Sequence, residues 1–218
     1  MAETALIVGA GRGLSASLAR LFAREGMRVV LAARDTGKLA ALATETGAAA
    51  IECDASAPAQ VDALFAKVEA PDLVVYNAGY RTRGPLVSLE PKEVERTLTI
   101  SAYGGFLVGQ AAAKRMLARG SGSIFFTGAS ASVKGYAESA PFAMGKFALR
   151  GLAQSMAREL APKGLHVAHF VIDGRIGREP NDGMLQPDEI ANSYLAVHRQ
   201  HRSAWTWEVE LRPWVERF

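Results

Sequence analysis

Cysteine is almost missing from this 218-residue chain: Cys53 stands alone, so no disulfide can close within it and a reducing compartment is expected. Excess charge of either sign is also lacking. Lys and Arg number 25 against 22 Asp and Glu, a net charge of +3, and the basic residues are scattered rather than run together. That removes the usual grounds for expecting nucleic acid or an anionic membrane as a partner. No apolar run approaches the ~20 residues needed to span a bilayer. Histidines are few, four in all, with His166 and His169 in one strand-like segment and His198 and His201 near a helix end. Without a third ligand close by in sequence they imply no metal site. The first strand begins within a few residues of Met1, which leaves no room for a signal peptide, and a cytoplasmic protein is expected. What remains is 49% apolar and 22% charged, the composition of an ordinary globular protein able to bury one core.

The chain is organised around Thr4 to Phe22. Leu6-Ile7-Val8 is a short apolar run that stops at Gly9-Ala10-Gly11-Arg12-Gly13, and Leu14, Leu18, Leu21 and Phe22 then recur at helical spacing. Strand, glycine turn and helix in that order build a phosphate cradle: glycine lets the backbone come close, and the open N–H groups and dipole of a helix start favour negative charge. The common dinucleotide fingerprint would place a glycine where Leu14 stands. Gly9 and Gly13 fit instead a G-x-x-x-G-x-G turn whose last glycine has become Ser15.

Arg28 to Ala33 reads as a second buried strand, ending in Arg34, where a carboxylate would bind a ribose 2′-hydroxyl and an arginine a 2′-phosphate. Asp35 follows directly, but Arg12 in the glycine turn adds a second positive charge, and NADP is expected over NAD. Thr36 to Thr46 looks helical. Ala48 to Cys53 is a third strand ending in Asp54, from which a side chain can reach an adenine edge, and Pro58 to Val68 is a helix. Asp72 to Tyr76 is a fourth strand, ending in Asn77-Ala78-Gly79, small enough for a flat ligand to approach. Pro91 to Leu98 starts a helical region that continues to Leu117 after a kink-prone Gly104-Gly105. Ser123 to Thr127 is a fifth strand, and Ala140 to Leu160 a long helix apolar nearly all round, as expected of a central or subunit-contacting helix. His166 to Ile172 and Glu208 to Leu211 are the last strands, joined through a helix from Pro187 to His198. Strands alternating with helices predict an α/β fold: a doubly wound, mostly parallel seven-stranded sheet of Rossmann type, as a single domain.

Taken together, Gly9-x-x-x-Gly13, Asp54, Asn77-Ala78-Gly79, the run from Phe142 to Leu160 and its exit Pro162-Lys163-Gly164-Leu165-His166-Val167 resemble the short-chain dehydrogenase/reductase superfamily over nearly the whole chain. The resemblance implies hydride transfer between NAD(P) and a carbonyl or alcohol carbon. It implies nucleotide contacts from Gly9, Arg12, Gly13, Leu14, Arg34, Asp54, Asn77, Ala78, Gly79 and Lys146, and an oligomer, dimer or tetramer, through the two long helices.

The family's Asn-Ser-Tyr-Lys set is mostly replaced. Lys146 is present; the tyrosine position is Phe142, the serine position Ala129 and the asparagine position Ser101. A phenyl ring has no proton to give a forming alkoxide, and a general acid is typically worth about 10²–10⁴-fold in rate, or roughly 3–5 kcal/mol. Ser101 is short but can still hold a water, and Lys146 keeps the ribose contact. Ser130, Ser132, Tyr103, Tyr136, Glu138 and a lysine of depressed pKa are the candidate replacement acids. Two expectations therefore stand: an oxidoreductase of unknown small-molecule substrate with non-standard proton delivery, or a catalytically inactive NADP-binding protein of the same fold. After the sixth strand, Ile172-Asp173-Gly174-Arg175-Ile176 leaves only a short cover over the pocket. The aromatic ending, Trp205, Trp207, Trp214 and Phe218, suits packing or subunit contact, with lining of a substrate pocket as the alternative.

Overall fold

The computed structural model describes residues 2–69, 71–179 and 181–216; Phe218 of the aromatic ending lies outside them. Its first strands are buried at nearly every residue: β1 (Thr4–Val8), β2 (Arg28–Ala33) and β4 (Leu73–Tyr76), the mark of a sheet covered on both faces. With β3 (Ala49–Glu52), β5 (Gly122–Thr127), β6 (Leu165–Ile172) and β9 (Glu208–Leu211) they form a seven-stranded sheet in the order β3-β2-β1-β4-β5-β6-β9. Every pairing in it is parallel, where a mostly parallel sheet was expected. The chain winds outward both ways from β1 and β4, which pair from Ala5 with Leu73 to Val8 with Tyr76. The crevice beyond their carboxyl ends is therefore the topological switch point of the sheet, the place where such folds bind ligands.

Helices α3 (Pro58–Val68), α5 (Gly104–Arg119) and α6 (Ala140–Leu160) pack on one face, and α1 (Leu14–Arg24), α2 (Ala40–Thr46) and α7 (Pro187–His198) on the other. Thr36 to Thr46 is not one helix: a short 3₁₀ turn over Gly37–Leu39 leads into α2.

The predicted kink at Gly104-Gly105 is corrected. The irregular turn precedes the glycines, a stretch of π-helix over Thr99–Tyr103 between α4 (Pro91–Leu98) and α5. The two glycines serve close packing: a Cβ on Gly104 would lie 2.5 Å from the Tyr76 hydroxyl and one on Gly105 2.4 Å from Leu149 Cδ1. The segment after β6 also holds a ribbon not foreseen from sequence, β7 (Arg175–Ile176) paired in parallel with β8 (Met184–Leu185). The all-round apolarity of α6 resolves into a buried side, Leu149 and Leu160, and an outer side on which Met144 and Phe147 are exposed.

Candidate functional site

A groove of about 380 Å³ opens at the switch point, lined among others by Gly9, Arg12, Arg34, Asp54, Asn77, Ala78 and Gly79. Gly9 is the one position in the glycine turn that a side chain cannot occupy. Its φ is +81°, and a Cβ there would lie 2.3 Å from the backbone nitrogen of Ala78. Gly13, by contrast, has open space where a Cβ would be and serves as the N-cap of α1. Leu14 begins that helix with its side chain sunk into the core beside Leu18 and Phe22, so only its backbone faces the turn. Neither Gly13 nor Leu14 lines the groove itself. The Ala16 N–H at the start of α1 donates to the Gly13 carbonyl at 2.9 Å, while those of Leu14 and Ser15 have no partner among the described residues and can meet an anion.

The Ser15 that replaces the expected third glycine has a use of its own. Its hydroxyl sits 3.3 Å from the Gly9 carbonyl and accepts from Asn77 Nδ2 at 2.8 Å. Asn77, expected to face a ligand, thus spends its amide joining the end of β4 to the turn after β1.

Charge at the far end of the groove is arranged unevenly. Asp35 is paired with Lys38 at 2.9 Å on the surface. Asp54 accepts from the amide and hydroxyl of Ser56, which with the nearby Arg34 charge hold its carboxyl below the usual range against the opposing effect of burial. Arg12 and Arg34 are exposed and form no hydrogen bond or ion pair among the described residues. Cys53 also lines this region; burial, then the Asp54 charge, push its thiol up to about 11.

Lys146, on α6, stands behind Gly79 and does not itself line the groove. It is 5% exposed, its Nζ donates to the Thr127 carbonyl at 2.7 Å, and burial draws its pKa down to about 8. Gly79 stands opposite, where a Cβ would lie 3.8 Å from Nζ. Phe142, one turn earlier on α6, puts its ring centroid 5.9 Å from Nζ and 5.1 Å from the Arg81 guanidinium carbon. Ser101 is fully buried in the π-turn against Gly145, with its oxygen 3.5 Å from the Tyr80 amide.

Of the candidate replacement acids, Ser132 is buried with its oxygen accepting from the Ala129 amide at 3.1 Å, and Tyr103 stacks on Phe106 with both rings exposed. Tyr136 and Glu138 are exposed in the loop before α6. Ser130 bonds the Asp173 carboxylate, which also receives Lys134 Nζ at 2.8 Å. Burial alone would raise the Asp173 pKa, and these two partners outweigh it. The Ser130–Asp173–Lys134 group was missed in sequence because Ser130 and Lys134 come from the loop between β5 and α6 and Asp173 from the end of β6, far along the chain.

Residues 3–173 match the family model for short chain dehydrogenase. The chain is 30% identical over 204 residues, 90% of it and 83% of the relative, to the cyclic-di-GMP-binding biofilm dispersal mediator protein of Escherichia coli (strain K12). Its fold superposes on a short-chain dehydrogenase from Rhodopseudomonas palustris, 35% identical, with a TM-score of 0.88 over 97% of this chain and 99% of that one. A metagenomic short-chain oxidoreductase in complex with NADP is 29% identical, with a TM-score of 0.87 over 98% of each chain.

Proposed function

The chain belongs to the short-chain dehydrogenase family, and from that premise we propose that it is an NADP-dependent oxidoreductase acting on a small carbonyl or alcohol, with Lys146 as the proton donor in place of the family's tyrosine. The observation that carries this reading is the state of Lys146: a buried ammonium, bonded only to the Thr127 carbonyl among the described residues, facing Gly79 at the inner end of the groove. Burial leaves it with a pKa of about 8, near the working pH, where a group both holds and releases a proton readily.

The groove fits a dinucleotide on its own geometry. Gly9 leaves a cradle that any side chain would fill, the Leu14 and Ser15 N–H groups at the start of α1 are open to an anion, and Arg12 and Arg34, without an ion pair among the described residues, suit a 2′-phosphate while Asp35 is occupied by Lys38. Bound NADPH would supply the hydride to the carbonyl carbon and NADP⁺ would take it back in the reverse direction. The chain's own part is proton work. As the carbonyl oxygen gains charge, an N–H bond of the Lys146 ammonium breaks and an O–H bond forms, leaving a neutral amine that regains its proton from solvent. Phe142 offers an apolar wall on one side of the ammonium.

The test is NADPH consumption across a carbonyl panel by the native chain, by Lys146→Met and by the Phe142→Tyr, Ala129→Ser double variant. Expected is native turnover whose kcat/KM falls as pH rises through about 8, and no turnover in Lys146→Met. Turnover seen only in the double variant would make the native chain a nucleotide-binding protein without catalysis.

A further inference from the structure

A second cavity, of about 200 Å³, lies outside the nucleotide groove, at the amino end of β6. Gln154, Ala157 and Arg158 from the C-terminal half of α6 wall one side. Trp205 and Trp207, in the segment that leads into β9, wall another, and His166 of β6 also lines it. No residue is shared with the groove at the switch point.

The two tryptophans are fixed in place. The Trp205 indole lies flat on the His166 ring, with centroids 4.8 Å apart and planes 8° from parallel, and its Nε1 donates to the Gln200 carbonyl at 3.2 Å. His166 donates from Nε2 to the Thr206 carbonyl at 2.9 Å. The Gln200 side chain brackets the same residue, accepting from the Thr206 amide at 2.8 Å and donating to its hydroxyl at 2.9 Å. Trp207 carries the Arg150 guanidinium over its ring at 5.7 Å. Arg150 is in turn held bidentately by Glu208, at 2.6 and 2.8 Å, the carboxylate that also holds His169 at 3.1 Å. Both indoles are thus ordered yet only half-buried, so a ligand meeting them has little ordering cost to overcome. One face of Trp205 is taken up by His166; the other is left to the cavity.

The charge around the cavity has one sign. Arg158 and Gln154 have no hydrogen-bond or ion-pair partner among the described residues. Past Ala161 and Trp205 the hollow continues to Arg202, which is likewise without one. No Asp or Glu lines either stretch among the described residues. The nearest acids are engaged elsewhere, Glu159 by Lys163 at 3.2 Å and Glu208 by Arg150. An indole face beside an unpaired guanidinium suits a flat molecule with an anionic end, because the ring stacks and the planar fork of arginine matches a carboxylate.

We propose that this cavity is a second ligand site, one that takes a small aromatic carboxylate with its ring on the open face of Trp205 and its carboxylate accepting from Arg158. The hollow is roughly half the size of the nucleotide groove, which restricts the ligand to one or two rings. Binding there requires neither Lys146 nor the nucleotide.

The test uses para-trifluoromethylbenzoate as probe, followed by fluorine NMR line width against the full-length chain, with the neutral para-trifluoromethylbenzamide as control. A Kd of about 1 mM or tighter is expected for a probe of this size, unchanged when NADP fills the groove. Arg158→Gln should weaken the benzoate by about 10-fold or more, the loss of one charge-assisted contact, and the benzamide should bind the native chain as weakly as the benzoate binds that variant. Trp205→Leu should weaken both probes by removing the stacking face. Arg158 is exposed, so its variant keeps the fold; if Trp205→Leu fails to fold, Arg158→Gln decides alone. No broadening at about 5 mM probe, or equal affinity in the native chain and Arg158→Gln, overturns the site. Displacement of the benzoate by NADP places it in the nucleotide groove and overturns the site as well.

Discussion

The side-chain amide of Asn77 donates to the hydroxyl of Ser15 at 2.8 Å, fastening the end of β4 to the turn that follows β1. Asn77→Ala should leave the buried Ser15 hydroxyl without its donor, a loss of about 1–3 kcal/mol. The expected result is a lower urea midpoint at unchanged m-value, with weaker NADP binding by titration calorimetry. An unchanged midpoint would mean the latch contributes nothing.

Gly9→Ala should be far more damaging than Gly11→Ala in the same turn. The first combines φ of +81° with backbone 2.3 Å away, while nothing lies within 4 Å of a Cβ on Gly11. About 3 kcal/mol or outright failure to fold is expected for the first and under about 0.5 kcal/mol for the second. Thermal unfolding of the two variants side by side checks it.

Arg34→Ala should weaken NADP binding by about 10- to 100-fold, the loss of one charge-assisted contact, and leave NAD affinity nearly unchanged. Fluorescence titration with both nucleotides reads the ratio; equal losses for the two would remove the 2′-phosphate from its assigned place.

Lys146→Met should abolish turnover and raise stability. The folded lysine has its pKa drawn from 10.5 down to about 8 by burial. Below 8 both folded and unfolded forms are charged, and the fold carries the full cost of the buried charge, on the order of a few kcal/mol. Between 8 and 10.5 the unfolded chain binds more protons, so native stability rises with pH; above 10.5 the cost is gone. The Tm advantage of the methionine variant should therefore be largest at pH 7 and shrink as pH is raised through that window. A constant advantage would locate its origin in packing.

The sheet was legible because its strands are short apolar runs separated by helices of clear period: α3, α6, α7 and β9 begin and end where the sequence pattern places them. The irregular turn over Thr99–Tyr103 was not, because Gly104 and Gly105 signal flexibility in sequence but answer to Tyr76 and Leu149 in space. Within the groove, Arg12, Arg34, Asp54 and the small residues of Asn77-Ala78-Gly79 fall where motif spacing puts them. The Glu208–His169 pair escaped notice for another reason. Two residues far apart in the chain become neighbours only when the last strand docks, pairing His169 with Glu208, and nothing local in either segment announces it.

Cys53 has a practical corollary. The chain's single thiol is 2% exposed and holds its proton to about pH 11, so almost none of it is thiolate at neutrality. Alkylating reagents and peroxide should find it inert, and the purified protein should neither crosslink through sulfur nor require added reductant. Because Cys53 lies along the nucleotide groove, the same inertness means that thiol reagents should leave nucleotide binding untouched.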